Sequence, residues 1–373
     1  MARRTRQKVS SRPASDEFAE SLAAIRKEYG ENTVTRASQT HQPERISTGV
    51  FLLDFALLGG IPHNRVSMFV GERHAGKSML SDMVIASAQR QYPDSVVVKV
   101  DIEGTSDEVW SSKLGVDLER MYVVKPETGE AAVEATDTFV RTKEVSLVVV
   151  DSIAALTPMK EIESDAGDAL PGIQARLVGG MIRKVSAGLI AERNRGHFVT
   201  VLFINQFRSK IGVVYGDPRT IPGGRALEFA TSVQLIIKNK EKISKDSYDV
   251  ETVEENEHAF DIKKNKLNGG LRTGEFRVRR ILDPDTGLEE GQVDDAATML
   301  MYAKKFGAYT GGGSSWTLSF WDEERKFRGL SDAVVSLYQD AELYWGLRNF
   351  LIAEQARHLN MPESFYSRFY PEE

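Results

Sequence analysis

Almost continuously apolar, β-branched runs recur along the chain from about residue 45 onward. They span residues 65–70, 96–101, 146–151, 199–205 and 233–238. Runs of this kind are typical of strands that are buried on both faces, and the segments between them are long enough for helices. The alternation predicts an α/β fold with a doubly wound, mostly parallel sheet.

The first 40 residues lack such apolar runs. Residues 1–14 carry five basic side chains and no acid, which indicates either a solvated arm or an arm that contacts nucleic acid or a neighbouring subunit. Residues 15–29 predict a helix, with Ser15 as its N-cap and Gly30 at its end. Its apolar stripe consists of Phe18, Leu22, Ile25 and Tyr29. We expect that stripe to pack on its own domain or on another subunit, because a short helix needs a partner.

The region after the last long apolar run is polar. Residues 238–258 are dominated by charge and predict a solvated hairpin or a surface loop. Residues 259–264 and 275–281 predict strands at the edge of the sheet.

The pattern changes again after residue 285. Residues 296–306 predict a helix, residues 311–315 a flexible turn and residues 316–321 a short strand, and two amphipathic helices extend to about residue 359. We therefore expect three parts: a basic arm with an oligomerisation helix, a large α/β core, and a small C-terminal α/β domain. Their predicted bounds are 1–40, 41–285 and 286–373.

Composition narrows the class of protein. Hydrophobic residues make up 41% and charged residues 27% of the chain, which excludes a collagen, a coiled coil and a mostly disordered chain. Cysteine is absent, which excludes disulfides, thiolate chemistry and cysteine-ligated zinc. We expect no transmembrane helix and no secretory signal. The net charge of −6 argues against a surface that is basic throughout but leaves room for a local nucleic-acid groove.

One motif carries specific chemistry. Residues 71–78, GERHAGKS, match the phosphate-loop pattern GxxxxGK[ST] between a predicted strand and a predicted helix. Glycines let successive backbone N–H groups turn inward, and the positive end of a helix also favours phosphate. We expect Lys77 to reach the β- and γ-phosphates and Ser78 to hold Mg²⁺. The alternative is an ordinary strand-to-helix turn. The residues assigned to nucleotide binding are Gly71, Glu72, Arg73, His74, Ala75, Gly76, Lys77, Ser78 and Met79.

Two carboxylates end neighbouring apolar runs. Asp151 follows three valines at the expected ligand-binding edge of the sheet, where it would hold Mg²⁺ together with Ser78. Glu103 is the candidate general base that activates water. Asp101 competes for that role, and Glu103 as a solvated loop acid is the other alternative.

Beyond these residues, the chain resembles the RecA-type homologous-recombination ATPases, a family that includes phage UvsX-like members. The resemblance covers about residues 20–310 and rests on collinear segments. They are 46–49 (ISTG), the phosphate loop, 113–117 (KLGVD), 126–130 (PETGE), 149–158 (VVDSIAALTP), 203–213 (FINQFRSKIGV), 223–227 (GGRAL) and 264–266 (KNK).

The resemblance implies roles for residues that pattern alone does not assign. Glu103 stands at the position of the water-activating glutamate, and Gln206 at that of the glutamine that senses γ-phosphate. Asp107 and Trp110 fall where the family contacts adenine, with Trp in place of the usual Tyr. The pair that reaches ATP in the neighbouring subunit matches Lys264 and Lys266, and an interface residue matches Phe229. The implied catalytic set is Lys77, Glu103, Gln206, Lys264 and Lys266.

Two DNA-binding loops are also implied, at about 163–173 and 206–225. The matching positions are Arg176, Arg183, Arg208, Lys210, Ile211, Gly223, Gly224 and Arg225. Arginine, lysine and backbone N–H groups bind phosphates, and glycines allow the backbone to approach them closely. Ile211 matches a residue that inserts between base triplets. Solvated or salt-bridged arginines on a helix are the alternative for Arg176 and Arg183. The departures are Pro171 in place of a wedge methionine, Arg225 in place of Asn, Glu228 in place of Lys, and a short tail in place of a long acidic one.

The resemblance implies an ATP- and Mg²⁺-dependent recombinase that forms a helical filament on single-stranded DNA and exchanges strands with double-stranded DNA. It also implies single-strand-binding and mediator proteins as partners, no membrane partner, and the cytoplasm of a bacterial or phage-infected cell as its location. Two alternatives stay open: a nucleotide-gated DNA-binding scaffold without strand exchange, and a hexameric helicase-like motor.

Overall fold

The computed structural model describes residues 16–36, 42–165, 172–209, 219–240, 242–245, 251–267 and 270–371. Its strands are β1 (Arg45–Ile46), β2 (Ile61–Pro62), β3 (Val66–Gly71), β4 (Val96–Asp101), β5 (Met121–Val124), β6 (Val145–Asp151), β7 (Thr200–Gln206), β8 (Arg208–Ser209), β9 (Arg219–Thr220), β10 (Thr231–Asn239), β11 (Lys242–Lys245), β12 (Glu251–Asn265), β13 (Thr273–Arg279), β14 (Tyr309–Gly312), β15 (Ser315–Phe320) and β16 (Glu323–Phe327). Its α-helices are α1 (Asp16–Tyr29), α2 (Phe51–Leu57), α3 (Lys77–Gln91), α4 (Glu108–Lys113), α5 (Gly129–Val140), α6 (Met159–Ile162), α7 (Ile173–Asn194), α8 (Gly224–Ala230), α9 (Ala296–Lys305), α10 (Leu330–Gln339), α11 (Ala341–His358) and α12 (Glu363–Tyr366).

A nine-stranded sheet forms the centre of the molecule. Its path runs β11-β12-β10-β3-β7-β6-β4-β5, and β13 pairs with β12 off this path. The six strands from β10 to β5 are parallel, whereas β12 joins β10, β11 and β13 in antiparallel pairs. The five apolar runs are β3, β4, β6, β7 and β10, so the predicted α/β class and mostly parallel sheet are confirmed.

Each parallel strand contributes to two cores. In β6, Val148 and Val150 face one apolar cluster while Leu147 and Val149 face the other. Successive side chains of a strand point to opposite faces, so a strand covered on both sides needs an unbroken apolar run. The first cluster also contains apolar residues of α5 and α7, and the second contains residues of α2, α3 and the C-terminal elements.

The charged segment at 238–258 continues the sheet. β11 pairs with the first part of β12, so the described residues form the predicted hairpin rather than an irregular loop. The two predicted edge strands, at 259–264 and 275–281, pair with each other, with Ala259 opposite Glu275. β12 begins earlier than predicted, because its polar first half pairs with β11 and has no apolar pattern to mark it.

The C-terminal elements form a three-stranded antiparallel sheet packed with α9, α10 and α11. The turn predicted at 311–315 is shorter, because Gly311 and Gly312 already belong to β14 and Ser315 begins β15. Gly311 has a φ of 132°, and a Cβ there would lie 2.3 Å from the Ser315 carbonyl oxygen. Close pairing of the two strands therefore requires glycine at position 311. The turn prediction was too long because it interpreted this glycine as part of the turn. The predicted boundary at residue 285 stays a prediction, and one apolar cluster runs continuously across it.

A buried polar junction ties α11 to the start of the core. Arg348 on α11 forms an ion pair with Asp54 on α2, and both side chains are almost completely buried. Asp295 accepts hydrogen bonds from the Phe51 N–H at 3.0 Å and from the Tyr344 hydroxyl at 2.7 Å. Burial raises the pKa of Asp295 to about 6, and those hydrogen bonds oppose the rise.

The N-terminal helix is confirmed over Asp16–Tyr29, while its predicted cap Ser15 lies outside the described residues. Its apolar stripe is open to solvent in the single chain: Phe18 is 54% and Tyr29 57% exposed. The segment after it is attached to α7, because the Asn32 amide donates to the Arg193 carbonyl oxygen at 3.5 Å. Among the described residues, no helix is both long and apolar enough to span a membrane.

We predict that Arg348→Leu lowers the free energy of unfolding by about 3–5 kcal/mol, because it leaves the Asp54 carboxylate buried without its counter-ion. The measurement is urea unfolding followed by tryptophan fluorescence. The matched control is Arg325→Leu, which removes exposed ion pairs with Glu323 and Asp340 and should cost less than about 1 kcal/mol. Equal losses in the two variants would contradict a structural role for the buried pair.

Candidate functional site

The phosphate loop joins β3 to α3, as predicted. Gly76 adopts a left-handed conformation with φ 90° immediately before α3 begins at Lys77. A Cβ on Gly71 would lie 2.5 Å from the Ile237 carbonyl oxygen, so β10 passes too close for any other residue. The sequence positions of these two glycines are therefore required by the local backbone and its neighbours.

Lys77 is held inside this loop. Its Nζ donates to the Glu72 carbonyl oxygen at 2.7 Å, and the side chain is almost completely buried. Burial lowers the pKa of Lys77, and the nearby carboxylates of Asp151 and Glu103 oppose that effect. A buried ammonium at the N-terminus of a helix, within a phosphate-loop motif, is suited to bind a polyphosphate.

The proposed magnesium ligands are in contact. The Ser78 hydroxyl donates to Asp151 Oδ2 at 2.8 Å. Burial raises the pKa of Asp151, while the Ser78 hydrogen bond and the positive charge of Lys99 oppose the rise. A hydroxyl and a carboxylate beside a phosphate site fit Mg²⁺, which prefers oxygen ligands and takes few of them from protein. The described part of the chain has no cluster of three or more His, Cys, Asp or Glu that could hold a metal by itself.

Glu103 lies in the same cleft. Its Oε1 accepts hydrogen bonds from Gln206 Nε2 at 2.7 Å and from Ser152 Oγ at 2.5 Å. Glu103 and Gln206 line a cavity of about 570 Å³ together with the first loop residues Glu72 and Arg73. Gln206 ends β7 and Ser152 follows β6, so the sheet order brings both donors to Glu103.

Asp101, the alternative general base, is held by the backbone of the following loop. Its carboxylate is buried and accepts from the backbone N–H groups of Gly104 at 2.9 Å and Ser106 at 3.2 Å. These bonds shape the loop that presents Glu103. Glu103 is exposed to the cleft, whereas Asp101 is not among the residues that line the cavity.

A second cavity, of about 480 Å³, lies on the other side of the loop. Its lining consists of His74, Ala75, Gly76, Lys77, Ser78, Met79, Trp110, Asn239, Asn256, His258 and Arg280. The guanidinium of Arg280 stacks on the Trp110 ring, 4.3 Å from its centroid. An aromatic face beside the phosphate loop is suited to a nucleotide base.

Asp107 does not line this cavity. It is the N-cap of α4, and its Oδ1 accepts from the Trp110 backbone N–H at 2.9 Å. The carboxylate therefore fixes the helix turn that carries Trp110. The predicted contact of Asp107 with adenine stays a prediction.

Comparison with known proteins identifies the class of this site. The family described as RecA N-terminal domain matches residues 16–280. Protein RecA of Bartonella quintana (strain Toulouse) is 40% identical over 261 residues, which cover 69% of this chain and 72% of that protein. Protein RecA of Brucella canis is 41% identical over 261 residues, which cover 69% of each chain.

The chain belongs to the RecA family. It is therefore a DNA-dependent ATPase that acts as a recombinase in recombination and repair, as the resemblance implied.

In this RecA-family core, the residues predicted to bind DNA begin next to Gln206. Directly after it, β8 pairs with β9, and Arg208 donates to the Ala154 carbonyl oxygen at 2.6 Å. Arg176 is exposed near the start of α7, whose residue Ala175 lies beside Gly224 at the start of α8. Arg225 is also exposed. The structure thus brings Arg176, Arg208, Gly224 and Arg225 toward one region, while Lys210, Ile211 and Pro171 lie outside the described residues.

Gly223 and Arg183 differ from that group. Gly223 is buried, with φ 102°, and a Cβ there would lie 2.7 Å from Leu227 Cδ2, so its close packing is within the protein. The Arg183 guanidinium lies over Gly179 and Gly180, two turns further along α7 than Arg176. Contact of either residue with DNA stays a prediction.

The predicted inter-subunit residues form a second cluster at the end of α8. Lys266 donates to the Phe229 carbonyl oxygen at 2.6 Å, and Lys264 donates to the Glu228 carbonyl oxygen. Burial lowers the pKa of Lys264, and the charge of Lys266 lowers it further. The Phe229 side chain is 71% exposed. Two cations and an exposed aromatic ring therefore share one surface. Such a surface is more typical of an interface with another protein subunit than of a face that only contacts solvent.

Three residues of the nucleotide site were not predicted from the sequence, and Asp107 was predicted to contact adenine rather than to cap a helix. Ser152, Arg280 and His258 contact it, and Asp107 supports it as a cap. The capping residue was recognisable locally, since Asp precedes an acidic first turn. His258 and Arg280 have no local signal, because strand pairing brings them to the loop.

We predict that Asp107→Ala frays α4, whereas Asp107→Ser keeps the cap, because a serine hydroxyl also accepts from the backbone. Loss of the cap costs about 1 kcal/mol, so hydrogen exchange at the Ser111 and Leu114 amides should accelerate about fivefold in the Ala variant only. The measurement is exchange followed by mass spectrometry. Equal protection in the two variants would show that the carboxylate does not hold this turn.

Proposed function

We propose that this protein assembles as a helical filament on single-stranded DNA, binds ATP and Mg²⁺ between subunits, and exchanges strands with homologous double-stranded DNA. The observation that carries this proposal is the hydrogen bond from Gln206 to Glu103, because it joins the hydrolytic cleft to the segment predicted to bind DNA. Base pairing, rather than side chains, would read the DNA sequence. This mechanism extends the established family function to particular residues of this chain.

In the proposed mechanism the loop N–H groups and Lys77 bind the phosphates, while Ser78 and Asp151 hold Mg²⁺. When bound, the ion neutralises charge on the phosphates. Glu103 orients the attacking water and accepts its proton. Its Oε1 already accepts two hydrogen bonds, so Oε2 is the oxygen available for water. Phosphoryl transfer needs mainly positioning and charge stabilisation, and these residues supply both.

The amide of Gln206 can serve two partners. In this structure it donates to Glu103, and a bound γ-phosphate would offer a competing acceptor of higher charge. A change of partner would move the end of β7 and with it Arg208, two residues further on. The nucleotide state would in this way reach the DNA surface.

Self-association completes the site. Lys264 and Lys266 donate to carbonyl oxygens at the end of α8 in the same chain. The exposed side chain of Phe229 lies at the same place. We assign them to the ATP of a neighbouring subunit, where their positive charge would offset the charge that develops during hydrolysis. We also assign the exposed apolar stripe of α1 to contacts between subunits of the filament.

Single-strand-binding and mediator proteins are proposed partners, and the cytoplasm is the proposed location. The alternatives of a scaffold without exchange and a helicase-like motor are separated from a recombinase by one experiment. Strand exchange is measured with ATP, without nucleotide and with a slowly hydrolysed analogue, beside electron microscopy of the DNA complex. A recombinase forms filaments and pairs DNA with the analogue, whereas a motor needs hydrolysis and a scaffold yields no exchanged product.

For the chemistry, we predict that Glu103→Gln binds ATP and forms DNA filaments but hydrolyses ATP at least about a hundredfold more slowly, because the amide cannot accept a proton. Lys77→Ala should instead weaken ATP binding and abolish turnover. The measurements are nucleotide titration and phosphate release with saturating DNA. Wild-type turnover in Glu103→Gln would remove Glu103 from the mechanism.

For the shared site, we predict that mixing two inactive proteins restores part of the activity. Lys264→Ala/Lys266→Ala subunits retain an intact phosphate loop, and Lys77→Ala subunits retain the two lysines. At some interfaces between the two kinds of subunit, an intact phosphate loop therefore meets an intact pair of lysines. The measurement is ATP hydrolysis across mixing ratios, with co-assembly shown by differently labelled subunits. Absence of rescue in filaments that contain both variants would place the lysines outside the neighbour's site.

For DNA binding, we predict that Arg208→Ala/Lys210→Ala lowers affinity about equally on different sequences and reduces its salt dependence. Each lost phosphate contact should remove about 0.7 from the log–log slope, because fewer counterions are released. The measurement is fluorescence anisotropy of labelled single strands over a salt series. The control is Arg141→Ala/Lys143→Ala, which removes exposed charges at the opposite end of the sheet and should keep the wild-type slope. Equal slopes for the two double variants would exclude the segment after Gln206 as the DNA site.

A further inference from the structure

A histidine from the edge of the sheet holds one peptide of the phosphate loop. His258 lies on β12, and its Nδ1 is 3.1 Å from the Ala75 carbonyl oxygen, 183 positions away in sequence. A carbonyl oxygen only accepts hydrogen bonds, so Nδ1 carries the hydrogen. Burial lowers the pKa of His258, which favours the neutral ring with this single N–H. The contact is therefore directed: the histidine donates to the loop.

The ring has little freedom to move. It stacks on Phe276, with 5.2 Å between ring centroids and 27° between planes, and only 2% of the residue is exposed. On its other side it meets Gly76, where an added Cβ would lie 2.6 Å from His258 Cε1. The second glycine of the motif thus serves a local purpose in this chain, because it admits the imidazole against the loop.

The effect on the loop follows from peptide geometry. A trans peptide is planar, and its C=O and N–H point in opposite directions. Holding the Ala75 carbonyl toward β12 therefore turns the Gly76 N–H away from β12, and phosphate loops bind anions through backbone N–H groups of this kind. A hydrogen bond to the carbonyl also polarises the peptide and strengthens its N–H as a donor.

Stability alone does not account for a histidine at this position. Its Nε2 is buried and has no hydrogen-bond partner among the described residues. A phenylalanine ring would fill the same space, but it could not donate a hydrogen bond to Ala75. The one polar contact that distinguishes histidine from phenylalanine here is the bond to the loop.

We propose that His258 is a positioning residue of the phosphate loop: it fixes the Ala75–Gly76 peptide with its N–H toward the phosphates and thereby sets the affinity for the polyphosphate of ATP. This proposal rests on the proposed nucleotide function of the loop. His258 lines the cavity beside Trp110 as well, so the test separates an effect on the phosphates from an effect on the base.

The test compares three substitutions in the full-length protein. In His258→Asn the side-chain amide lies near the place of ring Nδ1 and can still donate to Ala75. In His258→Gln the amide lies near the place of Nε2, and in His258→Phe the donor is gone. Each protein is titrated calorimetrically with ATP, inorganic tripolyphosphate and adenosine, and its ATPase rate is measured at saturating DNA.

We expect the Gln and Phe variants to bind both ATP and tripolyphosphate about tenfold more weakly, the effect of one lost hydrogen bond, and to bind adenosine as the wild type does. KM for ATP should rise by a similar factor while kcat changes less than about twofold, since the bond would act on binding rather than on the reacting atoms. The Asn variant should restore most of the affinity. If the Phe variant fails to fold, the Gln and Asn pair decides the matter.

Unchanged tripolyphosphate affinity in the Gln variant would overturn the proposal. A loss for adenosine and ATP but not for tripolyphosphate would also overturn it, because His258 would then act on the base. A uniform loss in all three variants, Asn included, would assign the residue to packing. Failure of the wild-type protein to bind ATP or tripolyphosphate would instead refute the proposed nucleotide function, and the inference would fall with it.

Discussion

The site depends on one constraint: six parallel strands end at the same edge of one sheet. β7 lies directly beside β3, which carries the phosphate loop, and β6 and β4 follow β7 in that order. The last residues of these strands, or those just after them, are therefore neighbours although they are distant in sequence. Glu103 and Gln206 meet in this way at 2.7 Å, and Ser152, which directly follows the intervening strand β6, donates to the same Glu103 oxygen. This hydrogen bond joins the predicted catalytic and DNA-binding parts of the chain.

The same edge concentrates buried charge, which needs compensation. Lys99 on β4 pairs with Asp82 on α3 at 3.0 Å, with both side chains nearly inaccessible to water. Asp101 is satisfied by two backbone N–H groups and Asp151 by the Ser78 hydroxyl. Groups paired in this manner stay close to fixed positions, because a buried charge or polar group that loses its partner costs free energy. Lys77 and Glu103 are charged side chains of this edge that line the two cavities beside the phosphate loop.

The sequence predicts features that are local. Unbroken apolar runs identify five strands of the sheet within two residues at either end, since burial on both faces requires such runs. The phosphate loop and the Ser78–Asp151 contact follow from a motif and from a strand that ends in a carboxylate. The resemblance adds Gln206, whose contact with Glu103 the structure shows.

Features that depend on strand pairing were not predictable. His258 and Arg280 reach the nucleotide site only because β12 and β13 extend the sheet past β10. The polar start of β12 has no apolar alternation, so its pairing partner, rather than its own side chains, determines the strand. Gly311 shows the reverse error: a glycine that suggested a turn permits close strand pairing instead.

Gln206 is proposed to couple the nucleotide to DNA, and a thermodynamic cycle tests this coupling directly. Affinity for a labelled single strand is measured with and without a slowly hydrolysed ATP analogue, and affinity for the analogue with and without DNA, in wild type and in Gln206→Ala. The account predicts that each ligand tightens the other by the same factor in wild type, as linkage requires, and that this factor falls to about one in the variant. An unchanged factor in Gln206→Ala, with both ligands still bound, would contradict the account.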